Sequence, residues 1–265
     1  MITDDHAHLD HEWILDKYGD ISEYIEAQRK NDVKYIIANS MDVKSSKNSF
    51  EVADKHEIVL PAIGLYPVDE HYREMNKDKE KEFVPDYGKI DDDLAWIKGN
   101  MSKAVALGEV GLDYSNRLCH KEAQIYVFSR LVELAVSKNI PIIIHSRKAE
   151  PDVLEILEKK NAKKVVLHCF GGNKRLLEVA RSRKYYFSVP TSIVRAQHFQ
   201  MIVRAVDISR ILTETDAPFM SPFKDDEPNE SRFISESLNT ISQIKKTDLD
   251  ETRKVIFQNF QRLYL

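Results

Sequence analysis

The chain has 265 residues, of which 42% are hydrophobic and 31% charged, with a formal net charge of −4. That balance supports a sizeable core and excludes a disordered chain, and no apolar run approaches the roughly 20 residues that span a bilayer. The acidic excess argues against a broad grip on nucleic-acid phosphates, which shows as a basic surplus, though a local basic patch stays open.

The chain begins with a predicted strand, Met1–His6, that runs into His6-Ala-His8. In a strand of period two, residues two apart share a face, so both imidazoles can reach one ion, and Asp4 shares that face as a candidate support for a ligand histidine. No signal-peptide pattern precedes this strand, which points to a cytoplasmic protein. Strands are expected next at Val33–Asn39 and Ile58–Gly64. The stretch from Tyr66 to Asp93 follows, the longest irregular segment, crowded with charge and broken by Pro67 and Pro85. It reads as a solvated excursion or as a lid over the carboxyl ends of the strands.

The fourth strand, Val105–Val110, carries Glu109, with Asp113 just beyond it to orient a ligand or substrate group or to cap the next turn. Leu118–Lys138 has a helical pattern, with Ala123, Tyr126, Val127, Arg130, Leu131 and Leu134 near i, i+3, i+4 spacing. Ile140–His145 ends on a histidine, and Arg147 and Lys148 follow, a guanidinium there matching two phosphate oxygens. Val165–His168 ends on another histidine; Cys169 is expected on the opposite face, and Gly171-Gly172 makes a tight turn that also offers amides to an anion. Tyr185–Val189 and Ile211–Thr215 complete the strands, the last carrying Glu214 and leading to Asp216. A loop from Pro218 to Arg232 leads into the final helices. Cys119 and Cys169 are too few for a disulfide framework and are expected to be free thiols.

Eight strands alternating with helical segments predict an α/β fold, the (β/α)8 TIM barrel, as a single domain over 1–265. Active sites of such barrels sit at the carboxyl ends of the strands, where His6, His8, Glu109, His145, His168 and Asp216 all lie. Imidazoles mixed with carboxylates suit two divalent ions, magnesium, manganese or zinc. One ion is assigned His6, His8, Glu109 and Asp216, and the other Glu109, His145 and His168, with Glu109 bridging. Asp216 is the candidate for proton transfer and Glu109 the second catalytic carboxylate, while Arg147 and Asp113 are the candidate substrate contacts. His11, His71, His120 and His198 lack the strand-end context and read as surface or loop histidines.

The ordered motifs His-Ala-His-Leu-Asp (6 to 10), Gly-Glu-Val-Gly-Leu-Asp-Tyr (108 to 114), Ile-Ile-His-Ser-Arg (143 to 147), His-Cys-Phe (168 to 170) and Glu-Thr-Asp-Ala-Pro (214 to 218) resemble the TatD family of metal-dependent deoxyribonucleases, (β/α)8 barrels of the amidohydrolase superfamily. The resemblance implies the same six ligands and phosphodiester hydrolysis of DNA, single-stranded or from 3′ ends; no membrane and no obligate protein partner are expected. The chain departs from the family at Tyr66, where a histidine is usual, at Gly171, where serine or threonine is usual, and in the charged segment after Tyr66. Those departures, with the net charge, keep a small-molecule hydrolase of the same superfamily, acting on a phosphate ester, lactone or amide, as the alternative. A non-catalytic metal-stabilised scaffold is the third reading, weakened because all six ligand positions are filled.

Overall fold

The computed structural model describes residues 1–223 and 228–265, so part of the predicted loop Pro218 to Arg232 lies outside the described residues. In chain order the elements are β1 (Ile2–Ala7), α1 (Glu12–Tyr18), α2 (Ile21–Lys30), β2 (Val33–Ala38), α3 (Val43–Lys55), β3 (Val59–Ile63), α4 (Val68–Met75), α5 (Tyr87–Asn100), β4 (Ala106–Asp113), α6 (Lys121–Lys138), β5 (Ile142–Arg147), α7 (Glu150–Lys159), β6 (Val165–His168), α8 (Lys174–Ser182), β7 (Tyr186–Pro190), α9 (Gln197–Ala205), β8 (Ile211–Glu214), α10 (Ile234–Lys245) and α11 (Leu249–Tyr264). The strands are neighbours in sequence order from β1 to β8, the parallel succession expected for the (β/α)8 fold. β1, β4 and β6 are buried at every position, as parallel strands covered on both faces must be.

The chain divides into two compact units. The first comprises Met1–Asn39, Asn48–Pro61 and Tyr186–Leu265. In it β1 pairs with β2 from Ile2↔Val33 to Ala7↔Ala38, and β7 pairs with β8 from Phe187↔Ile211 to Pro190↔Glu214. β8 also lies along β1: the Thr213 hydroxyl donates to the Thr3 carbonyl at 2.9 Å, and the Asp216 amide to the His6 carbonyl at 2.8 Å. Asp20 starts α2 by accepting from the amides of Ser22 and Glu23, satisfying donors that a helix start leaves open. The Glu230 carboxylate, fully buried, binds Lys17 at 2.6 Å, Tyr18 at 2.7 Å, Gln28 at 3.2 Å and Arg232 at 2.8 Å. It therefore ties α1 and α2 to the segment that precedes α10.

The second unit comprises Ser40–Lys47 and Ala62–Tyr185. Here β4 and β5 run further than predicted, because pairing continues through Gly111↔His145 to Asp113↔Arg147. Two glycines permit the close approach of neighbouring backbones at this point. A Cβ on Gly64 would stand 2.6 Å from the Glu109 carbonyl oxygen, and one on Gly111 would collide with the His145 carbonyl.

The segment Tyr66 to Asp93, expected to be irregular, contains the helix α4 and the start of α5. Its organiser is Arg73, which is 1% exposed. Its guanidinium binds Asp69 at 2.9 Å, Glu70 at 2.6 Å, the Leu118 carbonyl at 2.6 Å and the Lys81 carbonyl at 3.1 Å. Charges that looked solvated in sequence are thus partly internal, paired as buried ions must be.

α6 buries Ala123, Gln124, Val127, Phe128, Leu131, Val132 and Ala135. The stripe is rotated from the predicted one: Tyr126 and Arg130 point outward, where the Tyr126 hydroxyl donates to Asp91 at 2.7 Å. Gln124 faces inward because its amide has three partners there, donating to Asp69 and to the Asp113 carbonyl and accepting from the Asp113 amide. Among the described residues, no helix is long and apolar enough to cross a membrane.

Candidate functional site

In the first unit His6 and His8 end β1 and Asp216 follows β8. The hydrogen bond from the Asp216 amide to the His6 carbonyl brings these strand ends together, and the bridge Ala7↔Ala217 continues the contact. The Asp216 carboxylate stands 3.7 Å from His6 Nε2 and 3.4 Å from His8 Nε2. The two rings meet edge to face, their centroids 5.1 Å apart. Asp216 has φ 57, a left-handed conformation uncommon for a non-glycine residue and frequent at functional sites. A carboxylate oxygen of Glu214 also lies within 4.8 Å of a His6 ring nitrogen.

Asp4 does not orient the His6 ring. Its carboxylate accepts from the His6 amide at 3.2 Å, the Thr215 amide at 2.9 Å, the Thr215 hydroxyl at 2.6 Å and the Ser231 hydroxyl at 2.7 Å. Complete burial pushes this carboxyl up to about 7 despite the bonds from Thr215 and Ser231. Asp4 therefore fixes backbone on both sides of the ligand group.

In the second unit Glu109 on β4, His145 on β5 and His168 on β6 form a like group. Glu109 Oε1 is 2.9 Å from His145 Nδ1 and 3.8 Å from His168 Nε2, and the two rings lie nearly parallel with centroids 6.4 Å apart. His145 Nε2 lies 3.1 Å from Asp113 Oδ2. Burial disfavours the charged imidazole, but hydrogen bonds to Asp113 and Glu109 outweigh it and raise His145 to about 9. Asp113 is 2% exposed and its second oxygen caps the Ser115 amide at 2.7 Å. It thus faces the candidate ligand His145 and a turn, not open solvent. Arg147 and Lys148 stand exposed at the end of β5.

Cys169 differs from expectation. β6 ends at His168, and a φ of 40 at Cys169 breaks the alternation that would have sent its side chain away. Its sulfur lies within 4.8 Å of a His168 ring nitrogen. Among the described residues neither cysteine forms a disulfide.

Sequence reading missed three residues. His71 Nε2 is 3.2 Å from Asp42 Oδ2; helical spacing gave no sign of that pairing. Ser231 joins the Asp4 network from a distant loop. Gln124 was detectable, being a polar residue inside an apolar helical stripe. Of the histidines set aside, His11 and His120 cap the starts of α1 and α6.

Each group offers two imidazoles and one carboxylate whose ligand atoms lie within 4.8 Å of one another. Three protein ligands of mixed nitrogen and oxygen fit a divalent ion and leave coordination positions for water or substrate.

A family model described as TatD related DNase matches residues 3–265. The chain is 30% identical to the uncharacterized metal-dependent hydrolase YabD of Bacillus subtilis, over 100% of this chain and 99% of that protein. It is also 30% identical to the deoxyribonuclease TATDN3 of Homo sapiens, over 99% of this chain and 94% of that protein. Among solved structures, YjjV, a TatD homolog from Escherichia coli, superposes with a TM-score of 0.85 at 21% identity, covering 99% of this chain and 97% of that one. That likeness shows a shared fold.

Proposed function

The chain belongs to the TatD related DNase family, whose model spans nearly all of it, and on that premise we propose that it is a divalent-metal-dependent hydrolase cleaving phosphodiester bonds of DNA. One observation carries the reading. In each unit, imidazoles from strand ends converge with one carboxylate, His6 and His8 with Asp216, His145 and His168 with Glu109. Each group is assigned one ion, magnesium, manganese or zinc. When bound, such ions supply Lewis acidity and bring the ionisation of a water toward neutral pH.

The chain's own residues do the rest. Asp216, only partly buried, accepts the proton of the attacking water. Asp113, on His145 Nε2, would hold the ring so that Nδ1, beside Glu109, is the nitrogen turned to the ion. Arg147, exposed beside this group, binds phosphate oxygens in a bidentate fashion. With a net charge of −4, the contact with DNA is short, a single strand or a strand end. The human relative named a deoxyribonuclease supports DNA as the substrate. Two cysteines outside any disulfide fit a reducing, cytoplasmic setting.

The test is hydrolysis of single-stranded DNA by purified protein with magnesium, manganese or zinc. Cleavage that disappears in Glu109→Ala supports the proposal. Turnover of small esters or lactones with DNA left intact under every ion overturns it in favour of a small-molecule hydrolase.

A further inference from the structure

The charged segment after β3 builds one wall of a cavity of about 530 Å³, within the size range of small-ligand sites. Its apolar lining includes Leu65, Tyr66, Val68, Tyr72, Phe83 and Val84. The Tyr72 and Phe83 rings lie 5.5 Å apart at 60°, and Val84 is 78% exposed at the rim. Aromatic surface of this kind accepts a planar ring by stacking.

Tyr66 links the cavity to the second ligand group. Its ring centroid is 4.8 Å from that of His145 and its hydroxyl 3.4 Å from His145 Nε2. A molecule held by its phosphate at Glu109, His145 and His168 therefore has the cavity as its next space along Tyr66.

The polar part of the lining is mostly acidic: Asp42, Glu82, Asp86 and Asp93 stand with His71 and Lys89, His71 lying 3.2 Å from Asp42 and Lys89 3.5 Å from Asp93. Burial pushes the Asp42 carboxyl up, but hydrogen bonds with His71 and Ser45 outweigh it and hold it below the usual range. Ionised carboxylates only accept hydrogen bonds and repel a phosphate. The lining thus excludes a second phosphate and favours a neutral ring that carries amino protons.

We propose that this cavity is a subsite for one nucleobase, adjoining the phosphate held at the Glu109 group. The proposal rests on the phosphodiesterase reading for the position of that phosphate. Adenine, cytosine and guanine, with exocyclic amino groups, suit it better than thymine.

The full chain in magnesium is titrated calorimetrically with deoxyadenosine 5′-phosphate, thymidine 5′-phosphate and deoxyribose 5-phosphate. The adenine nucleotide is expected to bind at least about ten-fold more tightly than the baseless sugar phosphate, the size of one stacked base, with thymidine between them. Val84→Trp plugs the cavity from an exposed position and Phe83→Ala removes a wall; each brings the ratio close to one. Val136→Trp, on the exposed side of α6 (Val136 is 39% exposed), keeps it. Equal binding of the three ligands, no binding of any of them, or a preference that survives both cavity variants overturns the subsite. Cleavage of a dinucleotide without base preference overturns the subsite alone and leaves the phosphodiesterase reading standing. Base-dependent binding with no phosphodiester cleaved under any divalent ion supports the cavity and overturns that reading instead.

Discussion

Asp4 grips Thr215 twice, accepting its amide at 2.9 Å and its hydroxyl at 2.6 Å. The residue immediately before Asp216 is thereby tied to the residue two before His6. Since Ser231 and the His6 amide share the same carboxylate, one buried side chain sets the relative placement of two candidate ligands. Asp4→Ala leaves these donors unsatisfied and is expected to lower stability by about 1–3 kcal/mol and metal affinity by about 10–100-fold. Asp4→Asn retains an acceptor and should lose less of both. Denaturant melts and metal titrations of the two variants check the order.

Gly64 is predicted to be intolerant of a side chain. The added methyl of Gly64→Ala would press on the Glu109 carbonyl at 2.6 Å and shift the backbone that carries Glu109. Overpacking of this kind costs about 1–3 kcal/mol, so the expected result is a lowered melting temperature together with weakened binding of one ion. A variant that melts lower but binds both ions normally would show the strain absorbed elsewhere.

Removing Arg73 strands two buried carboxylates, Asp69 and Glu70, which are 0% and 4% exposed. Arg73→Met is expected to destabilise the protein by about 3–5 kcal/mol, the usual cost of breaking a buried ion network from one side. The effect should concentrate in α4 and in the Leu118 region, read as faster amide exchange there than in β1.

Acid should loosen the first unit through Glu230. Burial raises this carboxyl, but Lys17, Tyr18, Gln28 and Arg232 together hold it below the ordinary value of 4.5. A depressed carboxylate contributes stability that is present above its unfolded pKa and lost as pH falls through the folded one. Stability should therefore decline below about pH 4.5, the unfolded glutamate range. Glu230→Gln should be less stable at neutral pH and show a shallower acid decline in pH-dependent denaturation. An unchanged slope would remove Glu230 from the acid response.

The ligand groups make a stoichiometric prediction. Elemental analysis should find two ions in the wild-type chain, with His8→Ala and His168→Ala each losing one, since the two histidines belong to different groups. Loss of both ions in either variant would indicate a single coupled centre.

Much of this protein follows from its sequence alone. Branched apolar runs separated by helical patterns mark eight strands in order, because burial on both faces leaves no polar alternation. The end of a run is also where a side chain can be polar without cost to the core. His6, His8, Glu109, His145, His168 and Asp216 stand out for that reason. Composition likewise announces the absence of an apolar spanning segment.

What lies beyond sequence is decided by partners distant along the chain. Asp4 reads as a ligand support, and only the return of Thr215 and Ser231 to its side turns it into a backbone clamp. The run of charge after Tyr66 reads as solvated until Arg73 gathers Asp69, Glu70 and the Leu118 carbonyl inside the fold. Cys169 leaves the face that alternation assigns it because its strand has already ended. In each case the energy of a polar side chain depends on which donors and acceptors meet it, and those meetings are fixed by packing and not by local pattern.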